Sequence, residues 1–180
     1  MKILITGGAG FIGSNFIRYW LHAHPEDQII GYDALTYAGN LENLRDIEND
    51  PRYRFVRGDI GDYQTARTAL DGVDVVVNFA AESHNDRAIL DPGIFVRTNV
   101  LGTQVLLAAA KDAKVSRFHH ISTCEVFGEL ELDEDRMFKE DDGYQPKTPY
   151  NASKASANHV VIAYFHTFKM PVTISHWANN

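Results

Sequence analysis

The residues KILIT (Lys2–Thr6) form a short apolar, β-rich run that ends on glycines, TGGAGFIG. The glycines in turn open a segment with helical apolar spacing at Phe11, Ile12, Phe16, Ile17, Trp20 and Leu21. Few folds accept a strand, a glycine-spaced turn and a helix in that order. Gly7 is placed to make the tight turn, Gly10 to let backbone approach an anion, and Gly13 to let helix and sheet pack closely. A pyrophosphate on the helix N-terminus would meet unpaired N–H groups and the positive end of the helix dipole. The spacing is GxxGxxG, not the GxGxxG of the general dinucleotide fingerprint, but the strand–turn–helix context is the one that fingerprint requires.

The rest of the chain keeps the same alternation. QIIGYD, YRFVRGD, VDVVVNFAA, RFHHIST and PVTISHWA read as strands. LENLRDIEN, YQTARTAL, GIFVRTNVLGTQVLLAAAKDA and TPYNASKASANHVVIAYFHTF read as helices. VDVVVNFAA is continuously apolar, as a parallel strand covered on both faces should be. Six strands alternating with helices predict an α/β fold, a doubly wound parallel sheet joined by right-handed crossovers. The chain has 180 residues, and we expect one domain over residues 1–180. One segment breaks the rhythm: Gly128–Thr148, GELELDEDRMFKEDDGYQPKT, is acidic and unpatterned. It reads equally as a functional lid or a solvated excursion.

Composition removes several classes. A formal charge of −7 argues against binding nucleic acid or an anionic membrane surface. A lone Cys124 leaves no internal disulfide and too few thiols for a cysteine-based zinc site. The eight histidines show no metal-ligand spacing, so no metal is expected. MKILITGGAG is too short in its apolar part for a signal peptide, no apolar run reads as a membrane span, and the natural N-terminus and a cytoplasmic location are the expectation.

Further signals agree with a dinucleotide. Asp33 ends the second strand, twenty residues past Gly13, where a carboxylate accepts from a ribose diol and repels a 2′-phosphate, favouring NAD over NADP. Asp59, after the third strand, is placed to face the adenine. YNASK sets Tyr150 and Lys154 four apart on a predicted helix, one turn from each other. An ammonium there would pull the phenol down from its ordinary value of ~10, making it a base for an alcohol. The fifth strand ends in ISTCE, so Thr123, Cys124 and Glu125 reach the same carboxyl edge, where ligands of open α/β sheets bind.

With these residues in view, the chain resembles the extended short-chain dehydrogenase/reductases. Within them, LTYAGNLENL, AAESHNDR, HHIST-E and PYNASKA resemble the dTDP-glucose 4,6-dehydratase family over nearly the whole chain. The resemblance implies transient oxidation at C4 of a nucleotide-linked glucose by NAD, with Tyr150 as base and Thr123 holding the same oxygen. Glu125 would take the C5 proton while the C6 hydroxyl leaves with a proton from an acid; hydride then returns to C6. It also implies that Phe11, Ile12, Asp59, Ile60, Phe79, Ala80, Ala81, Thr98 and Asn180 contact NAD, that Ser83 and Asn179 contact substrate, and that two long helices pair in a homodimer.

The chain departs from that family in three places. Cys124 stands where the family has the aspartate that protonates the departing hydroxyl, so the elimination half should weaken; a bare small filler is the other reading of this thiol. The family's C-terminal portion, which binds the sugar's nucleotide, is largely absent, which makes an impaired or truncated enzyme the expectation. SHWANN replaces a TRCSNN-like stretch. Two alternatives stay open: a nucleotide-sugar 4-epimerase, which needs no C5 base beside the threonine, and a noncatalytic NAD-binding module.

Overall fold

A computed structural model describes residues 1–131, 133 and 135–178. Six strands form one parallel sheet in the order β3-β2-β1-β4-β5-β6. They are β1 (Lys2–Thr6), β2 (Gln28–Asp33), β3 (Tyr53–Arg57), β4 (Val75–Asn78), β5 (Arg117–Thr123) and β6 (Val172–Trp177). The order reverses between β1 and β4, so the crevice at their carboxyl ends is the place where this architecture takes ligands. In-register pairs such as Thr6 with Tyr32 and with Asn78 bring the strand ends level there.

Two apolar layers hold the helices to the sheet. On one face Ile3, Ile5, Ile29 and Val77 pack on α1 (Phe11–Ala23) through Ile17 and Leu21. On the other, Leu4, Ile30, Val76 and Phe118 meet α2 (Tyr63–Ala69), α5 (Thr103–Asp112) and α6 (Pro149–Phe168) through Ala66, Leu106, Leu107 and Val161. Alternate residues of each central strand therefore go to opposite layers, which is why these strands read as unbroken apolar runs.

Four element readings change. LENL is a single 3₁₀ turn (Leu41–Leu44), capped by the Asn40 side chain, rather than a helix running to Asn49. A short helix α3 (Asn85–Leu90) appears where no periodicity announced it; Asp91 ends it and, with Pro92, starts the next, α4 (Pro92–Phe95). The long helix expected from Gly93 is not uniform: α4 continues into α5 through a π-helical stretch, Val96–Gly102. By length and composition the helical run Pro92–Asp112 is also apolar enough to cross a membrane, contrary to the reading that no segment was. Its apolar side, with Phe95, Leu106, Leu107, Ala109 and Ala110, is buried in this domain.

The acidic segment after Gly128 folds back on the domain. Phe138 stacks on Phe127, with ring centroids 5.5 Å apart, and Tyr144 meets Phe127 edge-on at 5.3 Å. Gln145 donates its N–H to the Val126 carbonyl at 2.9 Å. Gly128, at φ 96°, makes the turn that starts the excursion.

Candidate active site

The glycine turn is built as a cradle. Gly7 sits at φ 64°, and a Cβ there would press on the Ala80 nitrogen at 2.9 Å, so a side chain is excluded twice over. Gly13 clears the Gly7 carbonyl, which any Cβ at Gly13 would strike. The close pass over the sheet, expected of Gly13, belongs to Gly8: its Cβ would lie 3.1 Å from the Gly31 Cα of β2. Gly10 is the N-cap of α1; neither a capping side chain nor an acidic residue occupies the first turn, so its N–H groups and dipole end suit an anion. Phe11 and Ile12, at 75% and 45% exposure, flank this mouth.

Asp33 is buried at the end of β2. Its carboxylate accepts from the Ala9 N–H at 3.0 Å and from the Leu35 N–H at 2.8 Å. It therefore latches the glycine turn, and its remaining lone pairs are what a ribose would use. Asp59 accepts from the Gly61 N–H at 2.8 Å in a local turn, while the Ile60 side chain is buried against Gly102. Phe79, Ala80 and Ala81 follow β4 half-buried, and the Ala80 N–H is fixed by the Thr6 hydroxyl at 3.1 Å. Thr98 lies half-buried in the π stretch. Asn179 and Asn180 lie outside the described residues.

Thr123, Cys124 and Glu125 sit together where β5 passes into a 3₁₀ turn (Cys124–Phe127). Thr123 caps that turn, accepting from the Glu125 N–H at 3.2 Å. Tyr150 faces them from the first turn of α6, whose N-cap is Thr148. Burial pushes the Tyr150 phenol up to about 12, with the Glu125 charge adding to the rise and a hydrogen bond with Thr123 opposing it. Lys154 is not among the groups that move it. The Lys154 ammonium is buried and donates to the Ile121 carbonyl at 2.7 Å, and desolvation draws it down to about 8. The expected lowering of the phenol by the lysine is thus absent from the protein's own groups.

One structural partner had no sequence signal. Asn99, at 1% exposure in the π stretch, accepts from the Glu82 N–H (2.8 Å) and donates to the Glu82 carbonyl (2.9 Å) and the Ser153 hydroxyl (2.8 Å). It ties the AAES strand end to α6. Beyond it, Tyr37 reaches Ser83 at 3.3 Å, and Arg87 lies 3.7 Å over the Tyr37 ring.

A tyrosine and a lysine one turn apart on α6, at the carboxyl edge of a sheet that begins with a glycine turn, define a Rossmann-type domain of the short-chain dehydrogenase/reductase kind. Residues 4–180 match the GDP-mannose 4,6 dehydratase family, and the chain belongs to that family. Over its full length it is 49% identical to the low-salt glycan biosynthesis protein Agl12 of Haloferax volcanii, covering 57% of that protein. The dTDP-glucose 4,6-dehydratase DesIV of Streptomyces venezuelae, solved with NAD bound, superposes with a TM-score of 0.94 at 47% identity, over 98% of this chain and 55% of that one. A UDP-glucuronic acid 4-epimerase from Bacillus cereus, solved with UDP-glucuronic acid and NAD, gives 0.89 at 32% identity, over 98% and 56%. The chain spans about half the length of the relatives it matches.

Proposed function

We propose that this chain is the NAD-binding and catalytic portion of a nucleotide-sugar 4,6-dehydratase acting on a dTDP-glucose-like substrate. The observation that carries this reading is the meeting of Thr123, Glu125 and Tyr150 at the carboxyl end of β5, on the edge that also holds the glycine turn. The cradle fits a dinucleotide: Gly7 and Gly13 exclude side chains, the α1 N-terminus is uncapped by any side chain, and Asp33 stands at the ribose position. Gly10, Phe11 and Ile12 would hold the pyrophosphate, Asp33 the adenosine ribose, and Asp59, Ile60, Phe79, Ala80, Ala81 and Thr98 the remainder. NAD held there supplies a hydride acceptor at C4 that later serves as donor at C6.

The protein's residues move the protons. Thr123, at the end of β5 facing Tyr150, can hold the same sugar oxygen while Tyr150 takes the C4 hydroxyl proton. A phenol this high needs added positive charge or hydrogen-bond donors to act near neutrality, and Lys154, on the same helix, would have to leave the Ile121 carbonyl to supply them. Glu125 removes the C5 proton once C4 is a ketone. Cys124 holds the place of the acid for the C6 hydroxyl, and a neutral thiol donates there more weakly than a carboxylic acid. Ser83 contacts the substrate.

The domain pairs through the outer sides of its long helices, where Val96, Leu101, Phe165 and Phe168 are about half exposed, and it works in the cytoplasm. Incubation with NAD and a panel of nucleotide-glucoses should give tight NAD binding and slow formation of a 4-keto-6-deoxy sugar. Turnover comparable to a full-length dehydratase would refute the expected impairment, and no NAD binding would refute the whole assignment. Cys124 favours a second reading, a 4-epimerase, which the same panel detects as a C4-inverted sugar.

A further inference from the structure

We infer that Asn85 is a positioning residue for the C5 proton abstraction, holding the Glu125 carboxylate against the helix that carries Tyr150. The inference rests on the dehydratase reading. Asn85 opens α3 and is half-buried, and its side-chain amide makes two contacts of opposite polarity. Its Nδ2 donates to Glu125 Oε2 at 3.2 Å, and its Oδ1 accepts from the Thr148 hydroxyl at 2.6 Å.

The polarity is forced from both sides. An ionised carboxylate only accepts, so the amide nitrogen must face Glu125. The Thr148 oxygen already accepts from the Asn151 N–H at 3.1 Å as the N-cap of α6, so its proton is free to go to Asn85. One amide therefore joins the base at the end of β5 to the first turn of α6, two residues before Tyr150. A donor on one carboxylate oxygen fixes the orientation of the group that is to take the C5 proton.

The backbone delivers Asn85 at a cost. His84, immediately before it, sits at φ 75° and ψ 118°, a conformation that L-residues with side chains avoid. Strain of this kind persists where neighbours over-determine the chain. Here Asn99 clamps both backbone groups of Glu82, Tyr37 holds Ser83, and Arg87 reaches the Glu82 carboxylate at 3.4 Å while stacking on Tyr37. The bend turns α3 so that its first residue meets the base.

The test separates the two proton transfers. Asn85→Ala and the isosteric Asn85→Asp are compared with wild type for reduced-nicotinamide absorbance on mixing with NAD and nucleotide-glucose, and for deuterium uptake at C5 in heavy water. Loss of a positioned base typically costs ~10²–10⁴ in rate, and loss of its alignment is expected to cost about tenfold or more at C5. C4 oxidation should stay within about twofold, and Asn85→Asp, which sets a second carboxyl against Glu125, should lose more than Asn85→Ala. In the protein alone, the Asn85 side-chain amide signal should move on Glu125→Gln and again on Thr148→Val. Equal loss of both steps, or no loss at C5, overturns the positioning role while leaving the dehydratase reading intact. A wild type inactive in both steps overturns that reading and this role together, and an amide signal indifferent to Glu125→Gln overturns the bridge itself.

Discussion

Replacing Lys154 by methionine should change how stability depends on pH. The ammonium is 4% exposed, makes one hydrogen bond, to the Ile121 carbonyl, and desolvation lowers it from 10.5 to about 8. A base whose folded pKa is depressed releases its proton on folding between those two values. There the unfolded chain binds more protons, so stability rises with pH from about 8 to about 10.5. The full difference is about 3 kcal/mol at ~1.4 kcal/mol per unit, of which about 1 kcal/mol is recovered between roughly pH 7.5 and 9. Beyond that the buried tyrosines oppose it: Tyr32, Tyr53 and Tyr150 are all raised by burial, so the unfolded chain ionises first and stability falls above ~10. Urea unfolding of wild type and Lys154→Met at several pH values reads the effect directly. The difference in stability, wild type minus variant, should climb by about 1 kcal/mol across that window. A flat difference would mean that the lysine is solvated in the folded state, and the desolvation argument would be wrong.

Gly7→Ala should destabilise by roughly 1–3 kcal/mol through its positive φ and the contact with Ala80, and should abolish NAD binding, read by thermal shift with and without NAD. Asn99→Leu leaves the Glu82 backbone groups and the Ser153 hydroxyl without their partner and should lower stability by roughly 2–4 kcal/mol; a loss under about 0.5 kcal/mol would show that the clamp is dispensable. His120 is buried, and burial, with Lys154 nearby, holds it well below its ordinary value. The unfolded chain therefore takes up that proton first, and stability should fall as pH drops below ~6.5; His120→Gln should flatten this acid slope in a thermal melt. Cys124→Asp should raise the yield of 4-keto-6-deoxy sugar while leaving C4 oxidation unchanged, measured as product per unit of transient reduced nicotinamide.

The central strands were legible because they are buried on both faces, so KILIT, QIIGYD and VVVN announce themselves by composition alone. Their order was not: alternation with helices predicts parallel pairing, and more than one doubly wound order satisfies it. α3 was not legible: NDRAIL carries charge through its middle and two strongly exposed leucine-type residues, Ile89 and Leu90, with only Ala88 buried, so it has no apolar face to betray it. The π stretch was hidden for another reason. VRTNVLG keeps an ordinary helical composition, and the widening is associated with a buried asparagine whose partners, Glu82 and Ser153, are far away in sequence. Tyr150 and Lys154 were found by spacing, but spacing carried no information on where the ammonium points. Only packing sends it to the Ile121 carbonyl.

Asp33 has two employments, and that limits how this domain can be re-engineered. Replacing it with alanine or serine to admit a phosphorylated ribose would also unhook Ala9, and with it the loop that must grip the pyrophosphate. A switch of coenzyme preference at this position should begin from Asp33→Asn, which removes the charge but retains an acceptor oxygen for the loop, with a cation introduced elsewhere to welcome the extra phosphate.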